Sequence, residues 1–363
     1  MDSVNERITG LSQSLTETRA ALGETQAALR GLQETVRTLE EQRRATARGA
    51  RLWAGAAAFF ALLFFLALPL TPAAAALTLE QRVAVLESKL QFLTVTGANM
   101  VISGANLSIV NGTGKTETAN GRGNLIVGYN ETRNDGTDFR TGSHRIIVGR
   151  YNSYDGFGGL VVGQFNTAQQ AYSSVLGGQK NQATAYYSTV TGGYGNIVYA
   201  EAAMVCGGRG NTATSVFSSI LGGYGNNSSG ESSTISGGNG GVTTGFSSSI
   251  AGGYGNRADG DASAVSGGAA NVANGNTSSV TGGQRNTASD VGSTVSGGYQ
   301  NTASSSSSTV SGGFRNIASG EYSVVGGGSG NAASHSYSTV SGGTGRTSTG
   351  DSSWRGGNLI QPN

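Results

Sequence analysis

A fifteen-residue unit, S-x-V-x-G-G-x-x-N-x-A-x-x-x-x, runs thirteen times in unbroken register from Leu160 to Val340, and so strict a period leaves room only for a stack of equivalent turns. Its anchors are Leu160, Val175, Val190, Val205, Ile220, Ile235, Ile250, Val265, Val280, Val295, Val310, Val325 and Val340. Twelve of the thirteen are β-branched, the class that suits a pleated strand. Fifteen residues are too few for a helix pair with its turns. Both S-x-V-x-G and N-x-A alternate with period two, so each unit is expected to be one coil holding two short strands.

The polar columns carry as much information as the apolar one. Gly stands three residues after every anchor, and from Gly177-Gly178 onward it is doubled, which marks a corner of positive φ or close backbone approach. Three residues further on comes Asn: Asn166, Asn181, Asn196, Asn211, Asn226, Asn256, Asn271, Asn286, Asn301, Asn316 and Asn331, interrupted by Gly241 and Arg346. An Asn repeated once per coil is expected to stack on its copies, each amide donating to the next, so that a polar group hidden at a bend is satisfied. Coils stacked at about 4.8 Å make thirteen of them a rod of roughly 60 Å. One Val and one Ala per coil is little apolar burial against the cost of ordering fifteen residues, so further burial against sister chains is expected, with the anchor columns or their outward neighbours turned towards a common axis.

The segments before the repeat read differently. From Val4 to Leu39, apolar residues and Thr recur at alternating spacings of four and three (Val4, Ile8, Leu11, Leu15, Thr18, Leu22, Thr25, Leu29, Leu32, Val36, Leu39), which predicts a coiled coil over residues 1–50. Trp53 to Leu70 is uncharged and apolar, long enough to span hydrocarbon as a helix, and residues 51–76 are assigned to a transmembrane helix with a small-residue tail. Arg43, Arg44, Arg48 and Arg51 precede it, which places the N-terminus in the cytoplasm and the rod outside or in the periplasm, a single-pass topology. Pro72 to Ala76 would also serve as a signal cleavage site, a reading that exports the same rod. Leu79, Val83, Leu86, Leu90 and Leu93 resume the four-three spacing in a short coiled-coil neck over 77–97.

Residues 98–159 are expected to be irregular coils of the same solenoid, on the strength of Leu125-Ile126-Val127-Gly128 and Ile146-Ile147-Val148-Gly149. Between them a loop from Asn130 to Arg145 holds Glu131, Arg133, Asp135, Asp138, Arg140, His144 and Arg145, a charged cluster on a chain with 12% charged residues. It reads as a binding loop, as a set of salt bridges between chains, or as a solvated loop capping the first coils. Residues 160–350 form the regular repeats, and 351–363, with Trp354 and Arg355, read as a cap over an open strand edge. The fold class is therefore an all-β parallel β-solenoid or β-roll of fifteen-residue coils, preceded by coiled-coil helices and one transmembrane helix.

The alternation of Ser308-Thr309-Val310-Ser311-Gly312-Gly313 with Asn316-Ile317-Ala318-Ser319-Gly320, set on a short coiled-coil neck, resembles the head of trimeric autotransporter adhesins of the YadA type. The resemblance covers residues 79 to 350. It implies a left-handed parallel β-roll, three chains about one axis, and attachment to host matrix or other cells. That family's repeat is fourteen residues and its anchor a C-terminal membrane β-barrel, whereas this chain repeats every fifteen and carries its expected anchor at the N-terminal side.

Function follows by exclusion as much as by motif. His144 and His335 lie 191 positions apart, no acidic pair recurs, and no C-x-x-C or H-x-x-x-H spacing occurs, so neither an enzyme nor a metal or cofactor site is expected. The lone Cys206, beside an anchor Val, reads as a small residue on a sheet. A net charge of +2 speaks against nucleic acid. The expected role is a membrane-tethered, homotrimeric surface fibre acting in adhesion, or as a spacer, through its Ser, Thr, Asn and Tyr surface. Its partners would be sister copies and an extracellular carbohydrate or protein. Alternatives are a scaffold whose cytoplasmic coiled coil recruits a partner and, through rows such as Thr189-Val190-Thr191, an ice-binding face.

Overall fold

Side chains that alternate inward and outward, on strands only two residues long, need a neighbour above and below to complete their hydrogen bonds, and the repeat supplies one every coil. The computed structural model describes residue 31, residues 33–38 and 78–356, and the backbone of 359–361. The coiled coil expected over 1–50, apart from helical residues at 31 and 33–38, and the membrane helix expected over 51–76 lie outside the described residues. Among those described, no helix is long and apolar enough to cross a membrane. The chain divides into two units, residues 1–105 and 106–363.

In the first unit, α1 (Leu79–Leu90) begins at a capping box in which Thr78 and Gln81 exchange side-chain-to-backbone bonds of 3.2 and 3.0 Å. None of its residues is buried, and its four-three stripe of Leu79, Val83, Leu86 and Leu90 faces solvent. Leu93, expected to close that stripe, instead starts a hairpin. Strands β1 (Leu93–Thr96) and β2 (Asn99–Ile102) pair antiparallel across a tight turn with Gly97 at φ 59°. Residues 99–102 therefore do not belong to the solenoid, contrary to the expectation for 98–159.

The second unit is a parallel β-solenoid of about 14 turns. One ladder starts at Leu125–Val127, continues through Ile146–Arg150 and Leu160–Gln164, and then takes the residue pair ending at each anchor, from Ser174–Val175 onwards. A second, thirteen-stranded ladder runs from Ser153–Tyr154 to Ala332–Ala333. A third line of single bridges climbs from Gln164 through Tyr194, Tyr224 and Tyr254 to Thr344, so each coil has three sides. The anchors from Val175 to Val340 and the Ala column are 0–1% exposed within the single chain, so the anchor column itself does not face a partner.

The register is not perfect. Ile147, Val161 and Val175 occupy successive rungs fourteen residues apart, and only beyond Val175 does the interval become fifteen. The first anchor is accordingly Val161, fully buried, while Leu160 points outward. At the far end Trp354–Gly356 adds one more parallel rung, and the chain then reverses: Leu359–Gln361 pairs with it antiparallel. This return covers the last edge.

The Asn column is buried, but its bonds run to backbone rather than from amide to amide. In a typical coil Asn181 donates through Nδ2 to Gly177 O at 3.1 Å and to Gly193 O of the next coil at 3.0 Å, while its Oδ1 accepts the backbone N–H of Asn196 at 3.0 Å. Each carboxamide thus ties its own corner to the coil above through three bonds. At Gly241 the tie is missing: Gly241 N still bonds Asn226 Oδ1 at 2.8 Å, but the Asn256 N–H has no carboxamide beneath it.

Replacing Asn286 by Ala removes bonds to Gly282 O, Gly298 O and Asn301 N and is expected to cost about 3 kcal/mol, because buried partners are left unsatisfied. Gly241→Asn restores the missing tie and should raise stability by about 1 kcal/mol. Denaturant melts followed by circular dichroism report both; an unchanged midpoint for Asn286→Ala would contradict the ladder's role.

Candidate functional site

The charged loop begins on the Asn ladder. Asn130 Oδ1 accepts the Asn152 N–H at 2.8 Å, Asn130 Nδ2 donates to Asn152 O at 3.1 Å, and Asn152 in turn receives the Asn166 N–H at 3.1 Å. The column therefore starts two members before Asn166. A Gly-x-x-Asn spacing at Gly149 to Asn152 carries that signal in the sequence, obscured by the change of period.

From there the basic side chains of the loop turn onto backbone. Arg133 reaches Tyr151 O at 2.7 Å, Asn166 O at 2.6 Å and Thr167 Oγ1 at 3.0 Å, linking two coils. Loss of hydration lowers its pKa, and Asp138 and Asp135 pull the other way. Arg140 pairs with Asp138 at 3.1 Å and donates to Glu131 O at 2.7 Å. Asp135 accepts from the Thr137 hydroxyl and amide at 2.6 and 2.9 Å, and these bonds, the hydroxyl first, lower its pKa. His144 accepts the Asn111 N–H at Nε2, 3.2 Å, and meets Thr116 O with Nδ1 at 3.1 Å, which fixes the tautomer protonated at Nδ1.

Arg145 lies deepest, 1% exposed. Its guanidinium donates to Ser173 O at 3.0 Å, to Gln170 O at 2.7 Å and to Asp155 O, and its own N–H bonds Asn124 Oδ1 at 2.9 Å. Gly142 permits this approach, since a Cβ there would sit 3.1 Å from Nε. Burial pushes the Arg145 pKa down to about 10, with Asp155 opposing. The folded value lies below the ordinary arginine range, so the cost of burying the cation applies in full below pH 10 and is relieved as pH rises through about 10 towards that range. Across neutral pH this group leaves stability flat.

These residues do not converge on a cleft. Arg133, Arg140, His144 and Arg145 spend their donors on carbonyls and side chains of the first coils, while Glu131 and Asp135 stay exposed. Among the described residues no group of three or more His, Cys, Asp or Glu could hold a metal. Among the Asn-x-Ser/Thr sequons of the chain, Asn106-Leu107-Ser108 begins at an exposed Asn, whereas Asn111-Gly112-Thr113 begins at a buried one that donates to Thr118 O at 2.6 Å, which removes it as a glycan acceptor in the folded chain.

The outer surface presents columns rather than pockets. Tyr172 stacks on Tyr187 at 5.3 Å and Tyr322 on Tyr337 at 5.0 Å; Arg209 lies over Tyr194 and Tyr224 at 5.3 and 5.9 Å. Tyr186 and Tyr254 are also exposed. On the anchor face, hydroxyls bond each other between rungs, Ser219 with Thr234 at 3.2 Å and Ser279 with Thr294 at 3.4 Å. Such a surface offers many shallow polar and aromatic contacts.

Arg145→Met leaves Ser173 O and Asp155 O without their donor, while Gln170 O keeps the Ser173 N–H and hydroxyl, and is expected to lower stability by about 2 kcal/mol. Hydrogen exchange should show lost amide protection confined to residues 121–175, because coils couple only to their neighbours; loss spread evenly along the rod would refute a local cap. No protein-family model matches this chain, and no curated protein matches it either, so the likeness to adhesin heads rests on the repeat alone.

Proposed function

We propose that this protein is a membrane-tethered, homotrimeric surface fibre that acts in adhesion, or as a spacer, by presenting its polar and aromatic columns to an extracellular carbohydrate or protein. The observation that supports this reading most is the uninterrupted line of bridges from Gln164 to Thr344, along which polar and aromatic side chains such as Tyr194, Tyr224, Tyr254 and Phe314 recur on the outer surface. Shallow contacts of this kind bind weakly one at a time and strongly when copies are joined.

The helix α1 supports the joining. Its apolar stripe of Leu79, Val83, Leu86 and Leu90 is exposed among the described residues, and a four-three stripe finds its natural cover in the same stripe of another copy. Copies held together through this helix would each carry a full set of the weak contacts.

Beads coated with the full chain should retain cells or polysaccharide-coated surfaces under flow at least tenfold better than beads carrying Leu86→Asp with Leu90→Asp, since avidity multiplies weak contacts by about 10² or more. Equal retention by both would overturn the multivalent reading. Retention by neither would overturn adhesion and leave the spacer role.

A further inference from the structure

The line of single bridges, which each coil places between its anchor strand and its second strand, has a composition of its own. From Arg150, paired with Gln164, it climbs through Tyr194, Arg209, Tyr224 and Tyr254 to Phe314 and Thr344. Beside it runs a left-handed corner position, which holds Tyr151, Phe165, Lys180, Arg285, Gln300 and Arg315 in their coils. Neither line contains an Asp or Glu between residues 150 and 345, and the acidic residues of the regular repeat, from Glu201 to Glu321, all follow the Asn column of their coil. Five cations stand on these lines: Arg150, Lys180, Arg209, Arg285 and Arg315. All are exposed, and none forms a salt bridge among the described residues.

An aromatic side chain holds each of the five. Arg150 lies over Tyr151 at 5.4 Å, Lys180 over Tyr194 at 5.6 Å and Arg315 over Phe314 at 4.9 Å. Arg209 meets both Tyr194 and Tyr224, at 5.3 and 5.9 Å, and Arg285 donates to the Tyr299 hydroxyl at 3.2 Å. A basic side chain steadied by a ring loses less freedom on meeting an anion, and the ring does not neutralise it as a carboxylate would. Next to Tyr194, Tyr224 and Tyr254 the corner position is Gly in five successive coils, from Gly195 to Gly255. The backbone does not demand Gly there, since the same corner carries Lys180 at φ 58° and Gln300 at φ 57°. A Cβ at Gly195, Gly210, Gly225 or Gly255 would meet nothing within 4 Å. The glycines thus keep an open lane along the rod beside the rings.

We propose that this side of the rod binds a linear acidic polysaccharide with one carboxylate per disaccharide, laid lengthwise with its sugars in the glycine lane and its carboxylates on the cations. The inference rests on the adhesion reading above and names the ligand and the side that takes it. Spacing carries the argument. Arg150, Lys180 and Arg209 recur every second coil, as do Arg285 and Arg315, and two rungs of about 4.8 Å set these charges about 10 Å apart. An extended β-linked chain advances by a similar distance per disaccharide. A nucleic acid fits this line poorly, because it carries one charge per about 3.4 Å of each strand. Its bases would also need free ring faces to stack on, whereas Tyr194 has a cation over it from the coil before and the coil after. The acidic residues beyond the Asn column repel the polymer from the rest of the coil and keep it on this line.

The test passes beads carrying the full chain over cells and over surfaces coated with hyaluronan, with uncharged hydroxyethyl cellulose or with single-stranded DNA. Retention on hyaluronan should exceed that on the cellulose and the DNA by about tenfold or more, because weak contacts multiply along a polymer, and high salt should abolish the excess. K180Q with R209Q, R285Q and R315Q should remove the preference; Gln already occupies these lines at Gln179 and Gln300, so the fold tolerates it. G210Q with G225Q fills the lane at constant charge and should lower retention on hyaluronan by about fivefold. T191E with S236E, S266E and S296E shifts the net charge as far as the first variant does, but on exposed positions of the anchor side, and should leave retention within about twofold. Circular dichroism melts check that each variant is folded. Unchanged retention in either of the first two variants, equal loss in the third, or DNA held as well as hyaluronan overturns the assignment. Retention on cells or cellulose without a preference for hyaluronan overturns the ligand and leaves adhesion standing, whereas retention nowhere overturns both.

Discussion

The bond on which the solenoid depends is the one between an Asn carboxamide and the backbone of the next coil. A two-residue strand has too few ladder bonds to fix its own register, and the corner beside it buries carbonyls that water cannot reach. One side chain solves both problems, because Asn carries a donor pair and an acceptor on a short stem. From Asn130 to Asn331 the column is broken only at Gly241, and wherever Asn stands above Asn the upper backbone N–H docks onto the carboxamide below. The polar column positions the coils as firmly as the Val column packs them.

The corners explain the glycines, and they do so unequally. At Gly178 and its equivalents φ is positive and a Cβ would collide with the carbonyl of the next coil, 2.1 Å away at Gly193 O, so no other residue fits. Two further positions in each coil are also left-handed, yet one of them carries Tyr172, Tyr187, Phe217 and Tyr322 as readily as Ser or Ala. The strain of a non-Gly residue there, on the order of 1 kcal/mol each, is held by the ladder bonds on either side. Side chains at these corners project from the rod, which is why aromatic stacks and cations collect along them.

The two ends of a solenoid expose strand edges, and this chain covers each by different chemistry. At the start a charged loop folds back and inserts Arg145 among carbonyls of the first coils, trading hydration of a cation for three backbone bonds. At the finish the chain reverses into an antiparallel strand, with Trp354 Nε1 bonded to Ser341 Oγ at 2.7 Å. Neither cover repeats, as expected of positions with a neighbour on one side only.

Periodicity is a local property, so the sequence by itself determined the coil, its two strands, the buried Val, Ala and Asn columns and the glycine corner. What it left to the tertiary structure are matters of which column faces which. The anchor of the first regular coil is Val161 rather than Leu160, because a fourteen-residue turn shifts the phase by one and only pairing with Ile147 reveals it. The Asn bonds reach backbone, because the carbonyl of the next coil lies nearer than the next carboxamide. Leu93 to Ile102 became a hairpin, since two alternating stretches around Gly97 pair with each other as readily as with a solenoid rung.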